Sequence, residues 1–421
     1  MNKQGISLRN KKEVFKLEAC RACGSDNLLL FLQLGPTPAP NGFLKAHHRH
    51  KSEKFYPLDV SFCRNCGLVQ LAHVVSPEVM FRNYVYIPST SETMLNHFVS
   101  LAKQATKITQ AQKGELSIDI GSNDGTLLKS FKSLGMNVLG VDPAENLAKK
   151  ANKEGVETMC ALFTKEVAVQ IKKKYREAKT ITATNVIAHV HDLHDFFEGI
   201  KILLSDEGLL IAEFPYLVDL LKKVEFDTIY QEHLSYFSIT PFEKLLKKHN
   251  LYLVDIQRLP VHGGSVRVFV SKKPKKASSR VKKLLQLEKK KGILNPQTYL
   301  KFRRKVDKVR HELVQLLWKL RLENKQIIGY GASAKGNIIL NYCRIGPETL
   351  NYIVDSIPYK QGKYTPGMHI PIFEEKKLLE DQPDYTLLLA WNFADEIIKK
   401  QEAYRKKGGK FILAIPKLTI V

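Results

Sequence analysis

At 421 residues, with 44% hydrophobic and 9% aromatic content, the chain is long enough for two or three domains with sizeable cores. No apolar run approaches ~18 residues, which excludes a bilayer-spanning helix, and residues 1–19 are polar and basic without a secretory apolar core, so a cytoplasmic protein is expected. The net charge of +24 would favour an anionic substrate such as a nucleotide sugar; nucleic acid is a second candidate, and a generally basic proteome is the plainest source.

The first informative segment spans residues 14–75 and holds Cys20-Arg-Ala-Cys23 and Cys63-Arg-Asn-Cys66, each followed by glycine. A C-x-x-C-G turn aims two thiolates at one ion, and two such turns make a closed tetrahedral S₄ site. Structural zinc held by Cys20, Cys23, Cys63 and Cys66 is therefore expected, in a reducing compartment, and no βαβ pattern surrounds the pairs to suggest a redox dithiol. Removing the metal should destabilise this head without altering a chemical step directly. The long interval between the pairs suggests that Leu34–Phe55 loops out as a small inserted unit, with His47, His48 and His50 as solvated loop residues. Beyond the head come Tyr84 and Tyr86, a hydroxyl-rich stretch, and a helix from about Met94; the tyrosines could lid a cofactor or serve only packing.

From residue 113 strand and helix patterns alternate: strand 116–121, helix 125–134, strand 137–141, helix 144–153, strand 180–185, helix 192–204 and strand 208–213. After helix 240–249 two strand patterns, 251–258 and 264–271, follow without a helix between them. Five parallel strands finishing in an antiparallel pair describe an α/β, class I methyltransferase sheet better than a six-stranded dehydrogenase sheet. Asp119-Ile-Gly-Ser-Asn-Asp-Gly125 joins the first strand to its helix, and the second strand ends on Asp142. A carboxylate there suits the two hydroxyls of an adenosine ribose. Asn123 stands where a dinucleotide fingerprint would carry its second glycine. Acids around the turn repel a pyrophosphate but suit the cationic end of S-adenosylmethionine. Asp119, Gly121, Asn123, Gly125 and Asp142 are therefore cofactor candidates, with NAD and a ligand-free crossover as the other readings. Asn185 and His189, at the carboxyl end of the 180–185 strand, fall near the transferred group.

Phe226–Phe237 places Tyr230, Glu232 and His233 within one turn. An imidazole is matched to proton removal at neutral pH, and Glu232 could orient it or raise its basicity. A satisfied polar turn is the alternative. Residues 273–323 read as a long Lys/Leu-rich helical connector with one apolar stripe, its lysine runs solvated. Gln326–Asn337 and Asp355 repeat the strand–turn–helix–strand–acid layout, with Ser333 and Lys335 at a helix start suited to an anion. A second, NAD-type site is the competing reading of that unit.

In this order, the two C-x-x-C pairs, D-I-G-S-N-D-G, N-V-I-A-H-V, Y-Q-E-H-L-S-Y-F, H-G-G-S-V-R and G-Y-G-A-S-A-K-G-N resemble the three-domain sugar C-methyltransferase family. That family methylates carbon 3 of dTDP-4-keto-deoxysugars, and the resemblance covers residues 20–417. It implies a zinc-binding head at 1–75, an S-adenosylmethionine-binding methyltransferase domain at 76–272, the connector at 273–323 and a Rossmann-like domain at 324–421. It also implies His233 as base, with Tyr230, Glu232, Tyr84 and His189 around the reacting carbon. Gln231 stands where relatives often carry a second histidine, with little consequence expected. A nucleotide sugar would be held by Ser333, Lys335 and Asn337, with His262, Gly263 and Arg267 reaching the same substrate; Arg267 could equally form a surface ion pair. Members differ in their sugar, and a monomer would suffice. The rivals are an NAD-dependent oxidoreductase and a zinc-containing nucleic-acid methyltransferase or binding protein.

Overall fold

The computed structural model describes residues 13–48, 52–76, 80 and 92–421. In the head, β1 (Leu28–Gln33), β2 (Asp59–Cys63) and β3 (Val69–Leu71) pair antiparallel, and the sheet is completed by Ser235–Tyr236 from far along the chain. The segment that carries Tyr230, Glu232 and His233 is thus continuous with an edge strand of the head. The inserted unit does not loop out. Thr37, Pro38 and Pro40 are buried, and Leu44–Lys45 pairs antiparallel with Lys363–Tyr364. The Asn337 amide donates to the Pro40 carbonyl at 2.6 Å, and Glu53 accepts from the His369 ring at 2.5 Å. Prolines have no backbone N–H, so burying Pro38 and Pro40 strands no donor; this is how an irregular loop can lie inside an interface.

The central sheet contains β4 (Leu116–Ile120), β5 (Asn137–Asp142), β6 (Thr158–Cys160), β7 (Ala178–Thr184), β8 (Leu204–Pro215), β9 (Tyr252–Leu259) and β10 (Ser265–Ser271). Its spatial order is β9-β10-β8-β7-β4-β5-β6, parallel from β8 to β6 and antiparallel at β10 and β9. This is the expected class I methyltransferase sheet. Helices on both faces bury the two sides, which is why β10 has no exposed position. The sequence reading passed over β6 and the helices Lys165–Tyr175 and Leu217–Lys223. β6 has three residues with one fully buried, and Lys165–Tyr175 fully buries only Ala168 and Ile171, so neither carries a strong period.

The connector is two helices, Ser279–Lys290 and Pro296–Leu322, broken at Gly292 (φ 67°), with Asn295 capping the second and Pro296 at its first position. It buttresses the head: Tyr299 stacks on Phe62 at 4.3 Å and lies 5.1 Å from Phe31. Glu288 on the first helix is wholly buried and accepts from the Tyr216 hydroxyl (2.7 Å), the Ile239 and Thr240 amides (2.6 and 2.8 Å) and the Thr240 hydroxyl (2.5 Å). It thereby caps the helix Ile239–Lys248 from another part of the chain. Glu288→Ala is expected to lower stability by about 3–5 kcal/mol, because several buried donors lose their acceptor at once. The measurement is the urea midpoint, and an unchanged midpoint would contradict it.

The last sheet contains β11 (Ile327–Tyr330), β12 (Ile353–Val354), β13 (Ile372–Phe373), β14 (Tyr385–Leu388), β15 (Lys410–Leu413) and β16 (Thr419–Ile420). Its order is β13-β12-β11-β14-β15-β16, with only β16 antiparallel: a Rossmann-like sheet, as expected.

Candidate functional site

The two cysteine turns converge. Cys20 and Cys66 Sγ lie 3.5 Å apart, as do Cys23 and Cys63 Sγ, and the four ligand atoms fall within 4.8 Å of one another. Zinc with ~2.3 Å bonds to four thiolates needs sulfurs about 3.8 Å apart, so the set fits. Gly24 (φ 77°) and Gly67 (φ 92°) close the turns, each amide donating to the carbonyl of the first cysteine of its pair. Amides of Cys66 and Leu68 point at Cys63 and Cys66 sulfurs (3.5 and 3.4 Å). Four protein thiolates leave no open coordination position, so the metal's part is structural.

At the end of β5, Asp142 accepts from the backbone N–H of Asn123 and of Ala144, each at 2.8 Å. One carboxylate thus fixes the turn after β4, and each oxygen retains a lone pair for another donor. Burial raises its pKa, against those two hydrogen bonds. Gly121, Asn123 and Gly125 all have positive φ (69°, 52° and 76°). A Cβ on Gly121 would stand 2.4 Å from Val186. The glycine is therefore required by the loop after β7, a reason the sequence did not disclose. Asp119 accepts from Thr182 at 2.6 Å. Burial, then the nearby Asp142 and Glu213 charges, push its pKa up to about 7 against the Thr182 hydrogen bond. A buried acid poised near neutrality and a buried ribose-type acceptor beside a tight turn fit a cationic adenosine cofactor.

Asn185 (φ 57°) leaves β7, its amide bonded to the Glu213 carbonyl at 2.8 Å, and the chain then turns through Ile187–His189. This loop links the turn after β4 to the segment that carries Tyr230 and His233. The His189 and His233 rings meet edge-on with centroids 4.8 Å apart, and the Tyr230 ring lies 4.0 Å from His233. Burial drives the His189 pKa down to about 4, so it is neutral at physiological pH. His233 Nδ1 is 2.7 Å from the Thr228 carbonyl, which can only accept. The Nδ1–H tautomer follows, with the basic lone pair on Nε2. The Nδ1 partner is thus Thr228 and not Glu232; Glu232 accepts from the Asn41 amide at 2.8 Å. Gln231 is buried, and its amide donates to the Thr37 hydroxyl at 2.7 Å, which ties this turn to the inserted unit. Tyr84 lies outside the described residues, as does the side chain of His262.

Arg267 is not at a surface. It is buried and donates to Glu213 at 2.6 and 2.5 Å and to Gln104, so its donors are spent inside the fold. Burial raises the Glu213 pKa, but the His97 hydrogen bond (2.7 Å) and the Arg267 charge more than offset it. Gly263 (φ 91°) lies against Glu225, where a Cβ would come within 2.7 Å of the carboxylate. Burial pushes the Glu225 pKa up to about 7 despite the Lys335 charge. Ser333 caps its helix through the Gly336 amide at 3.0 Å. Lys335 Nζ sits 4.8 Å from the centre of the Trp391 ring, and Trp391 donates to Asp227 at 2.6 Å. Asp227 Oδ1, Thr228 Oγ1, Lys335 Nζ and Asn337 Oδ1 are buried with no hydrogen-bond partner among the described residues. Polar atoms of that kind face a ligand or water in a working protein. In the second α/β unit, Asp355 bonds the Ile357 amide at 2.8 Å and pairs with Lys360 at 3.1 Å. Its charge is already matched, which argues against a ribose acceptor there.

A family model described as a zinc binding domain matches residues 20–81, a methyltransferase domain model matches 97–256, and a C-methyltransferase C-terminal domain model matches 260–416. The chain is 37% identical to C-methyltransferase NovU of Streptomyces niveus over 409 residues, covering 96% of this chain and 97% of that one. It is 26% identical over 100 residues to a ubiquinone biosynthesis O-methyltransferase of Rhodopseudomonas palustris, covering 24% of this chain and 40% of that protein. Among solved structures, the PH0226 protein of Pyrococcus horikoshii matches with a TM-score of 0.36 and 17% identity, over 45% of this chain and 95% of that one.

Proposed function

The chain belongs to the zinc-containing, S-adenosylmethionine-dependent C-methyltransferase family, and from that premise we propose that it methylates carbon 3 of a nucleotide-linked 4-keto-deoxysugar. The observation that carries the reading is the His233 imidazole, locked as the Nδ1–H tautomer by Thr228 and flanked by Tyr230 and His189. Carbon is a poor nucleophile until a neighbouring carbonyl acidifies its proton. His233 Nε2 takes that proton, and Tyr230 donates to the oxygen on which the enolate charge develops. A pKa near 4 keeps His189 neutral and a poor base, with its ring hydrogen-bonded to the Glu232 backbone, so its part is to pack against His233. Glu232 holds Asn41 and with it the inserted unit. S-adenosylmethionine, when bound, supplies the electrophilic methyl group.

Asp119, Gly121, Asn123, Gly125, Asp142 and Asn185 make up the proposed cofactor cradle, with Asp142 taking the ribose hydroxyls. Asp142→Ala is expected to weaken S-adenosylmethionine binding by ~1.5–3 kcal/mol, roughly ten- to more than hundred-fold. Unchanged affinity in calorimetry would move the adenosine elsewhere. The sugar nucleotide is assigned to the interface between Phe226–Phe237 and the C-terminal sheet, where Ser333, Lys335 and Asn337 stand beside buried polar atoms that lack protein partners. The proposed domains run 1–75, 76–272, 273–323 and 324–421. A cytoplasmic setting belongs to the same proposal, since a thiolate zinc site favours a reducing compartment. Among the described residues no helix is long and apolar enough to cross a membrane.

The test is methyl transfer to a panel of dTDP-, UDP- and GDP-linked 4-ketosugars, each beside its 4-hydroxy counterpart, read by mass. Methylation confined to ketone-bearing members is expected. Methylation that ignores the ketone would overturn the reading.

A further inference from the structure

Arg21 lies between the zinc ligands Cys20 and Cys23, and its side chain reaches segments far along the chain. Its guanidinium donates to the Ser235 hydroxyl at 2.6 Å and to the backbone carbonyls of Val190 and His191. Ser235 is two residues past His233; Val190 and His191 immediately follow His189. One planar group therefore grips the strand that follows His233 and the loop that follows His189. Its own backbone is held in turn: the Arg21 amide donates to Gln70 at 2.9 Å, and Gln70 returns a bond to the Ala19 carbonyl at 3.2 Å. On the far side of the knuckle, Lys248 donates to the Ala22 carbonyl at 3.0 Å. Nothing in the coordination of zinc needs an arginine at this position, and a solvent-facing knuckle residue would have no reason to reach three acceptors on two separate segments of the chain.

We infer that Arg21 is a positioning residue for the methyl-transfer site, so that the zinc knuckle sets the separation of His189 and His233. This rests on the reading of His233 as base. Two C-x-x-C turns cross-linked by metal form a rigid platform, and the fork of Arg21 extends that rigidity to both segments. The metal's influence on chemistry is then mechanical and indirect but real, which goes beyond a head that merely folds. Lysine cannot replace it: a compact ammonium on a flexible stem does not span three divergent acceptors at once.

The experiment compares Arg21→Lys, Ser235→Ala, the double variant and His233→Asn in the full-length, zinc-loaded enzyme. A displacement near 1 Å of groups at the reacting carbon is enough for about a hundred-fold loss. Arg21→Lys is expected to lower kcat roughly 10- to 100-fold while zinc content and S-adenosylmethionine affinity stay within twofold of wild type. Ser235→Ala, which leaves the knuckle untouched, should lower kcat less, and the double variant should be no worse than Arg21→Lys alone. Imidazole resonances of His189 and His233 should shift in Arg21→Lys, a readout independent of turnover. Wild-type kcat and unshifted resonances in folded, zinc-loaded Arg21→Lys, with His233→Asn strongly impaired, would overturn the inference alone. An unimpaired His233→Asn would overturn the base assignment and the inference with it.

Discussion

Replacing His233 with asparagine is expected to reduce turnover by roughly 10²–10⁴-fold, the loss typical of a missing general base, with S-adenosylmethionine affinity nearly intact. The Thr228 carbonyl takes the Nδ1–H, so the ring presents Nε2 as its acceptor beside Tyr230 and His189. An asparagine amide can still donate to Thr228, which keeps the buried turn satisfied, but it offers no basic lone pair. Neither neighbour is a good substitute: His189 takes up a second proton only below about pH 4, and a tyrosine is a base only as its phenolate. Single-turnover measurement at saturating cofactor separates this loss from binding. Wild-type turnover in the variant would move the base elsewhere.

Cys63→Ser is expected to abolish stoichiometric zinc binding and to unfold the head. Structural zinc contributes ~10–16 kcal/mol of apparent binding free energy in small zinc domains, much of it folding free energy. The damage should spread, because Ser235–Tyr236 is a strand of the head sheet and Gln231, Asn41 and Glu232 tie the turn that carries His233 to the inserted unit. Metal analysis should find about one zinc per wild-type chain and far less in the variant. Cys160→Ser, at an exposed cysteine outside the sulfur cluster, should keep its metal. Equal zinc in wild type and Cys63→Ser would refute the four-cysteine centre.

The parts legible in the sequence are those written in local pattern. Cysteine spacing announced the metal cluster, and apolar strand patterns announced the class of the central sheet and its antiparallel end, though not β6. The meeting of Tyr230 with His233 was visible because both lie in one turn. What stayed hidden depends on partners far apart in the chain. Arg21 looks like a surface residue of a knuckle until the loop after β7 and the strand at Ser235 are placed on it. Thr228 acts through a backbone carbonyl, which no residue type reveals. Pro38 and Pro40 suggest a loop but cannot say that the loop fills an interface. Arg267 and Gly263 stood in a motif that invited a substrate role; the first is paired with Glu213 and the second makes room for Glu225.

Carbon methylation next to a ketone is most directly tested with S-adenosylmethionine labelled at the methyl with carbon-13 and a 4-ketosugar nucleotide deuterated at carbon 3. The account predicts a product whose labelled methyl shows one-bond carbon–carbon coupling to carbon 3, with the deuterium lost to solvent. A labelled methyl on oxygen or nitrogen, or a product that keeps its deuterium, would contradict it.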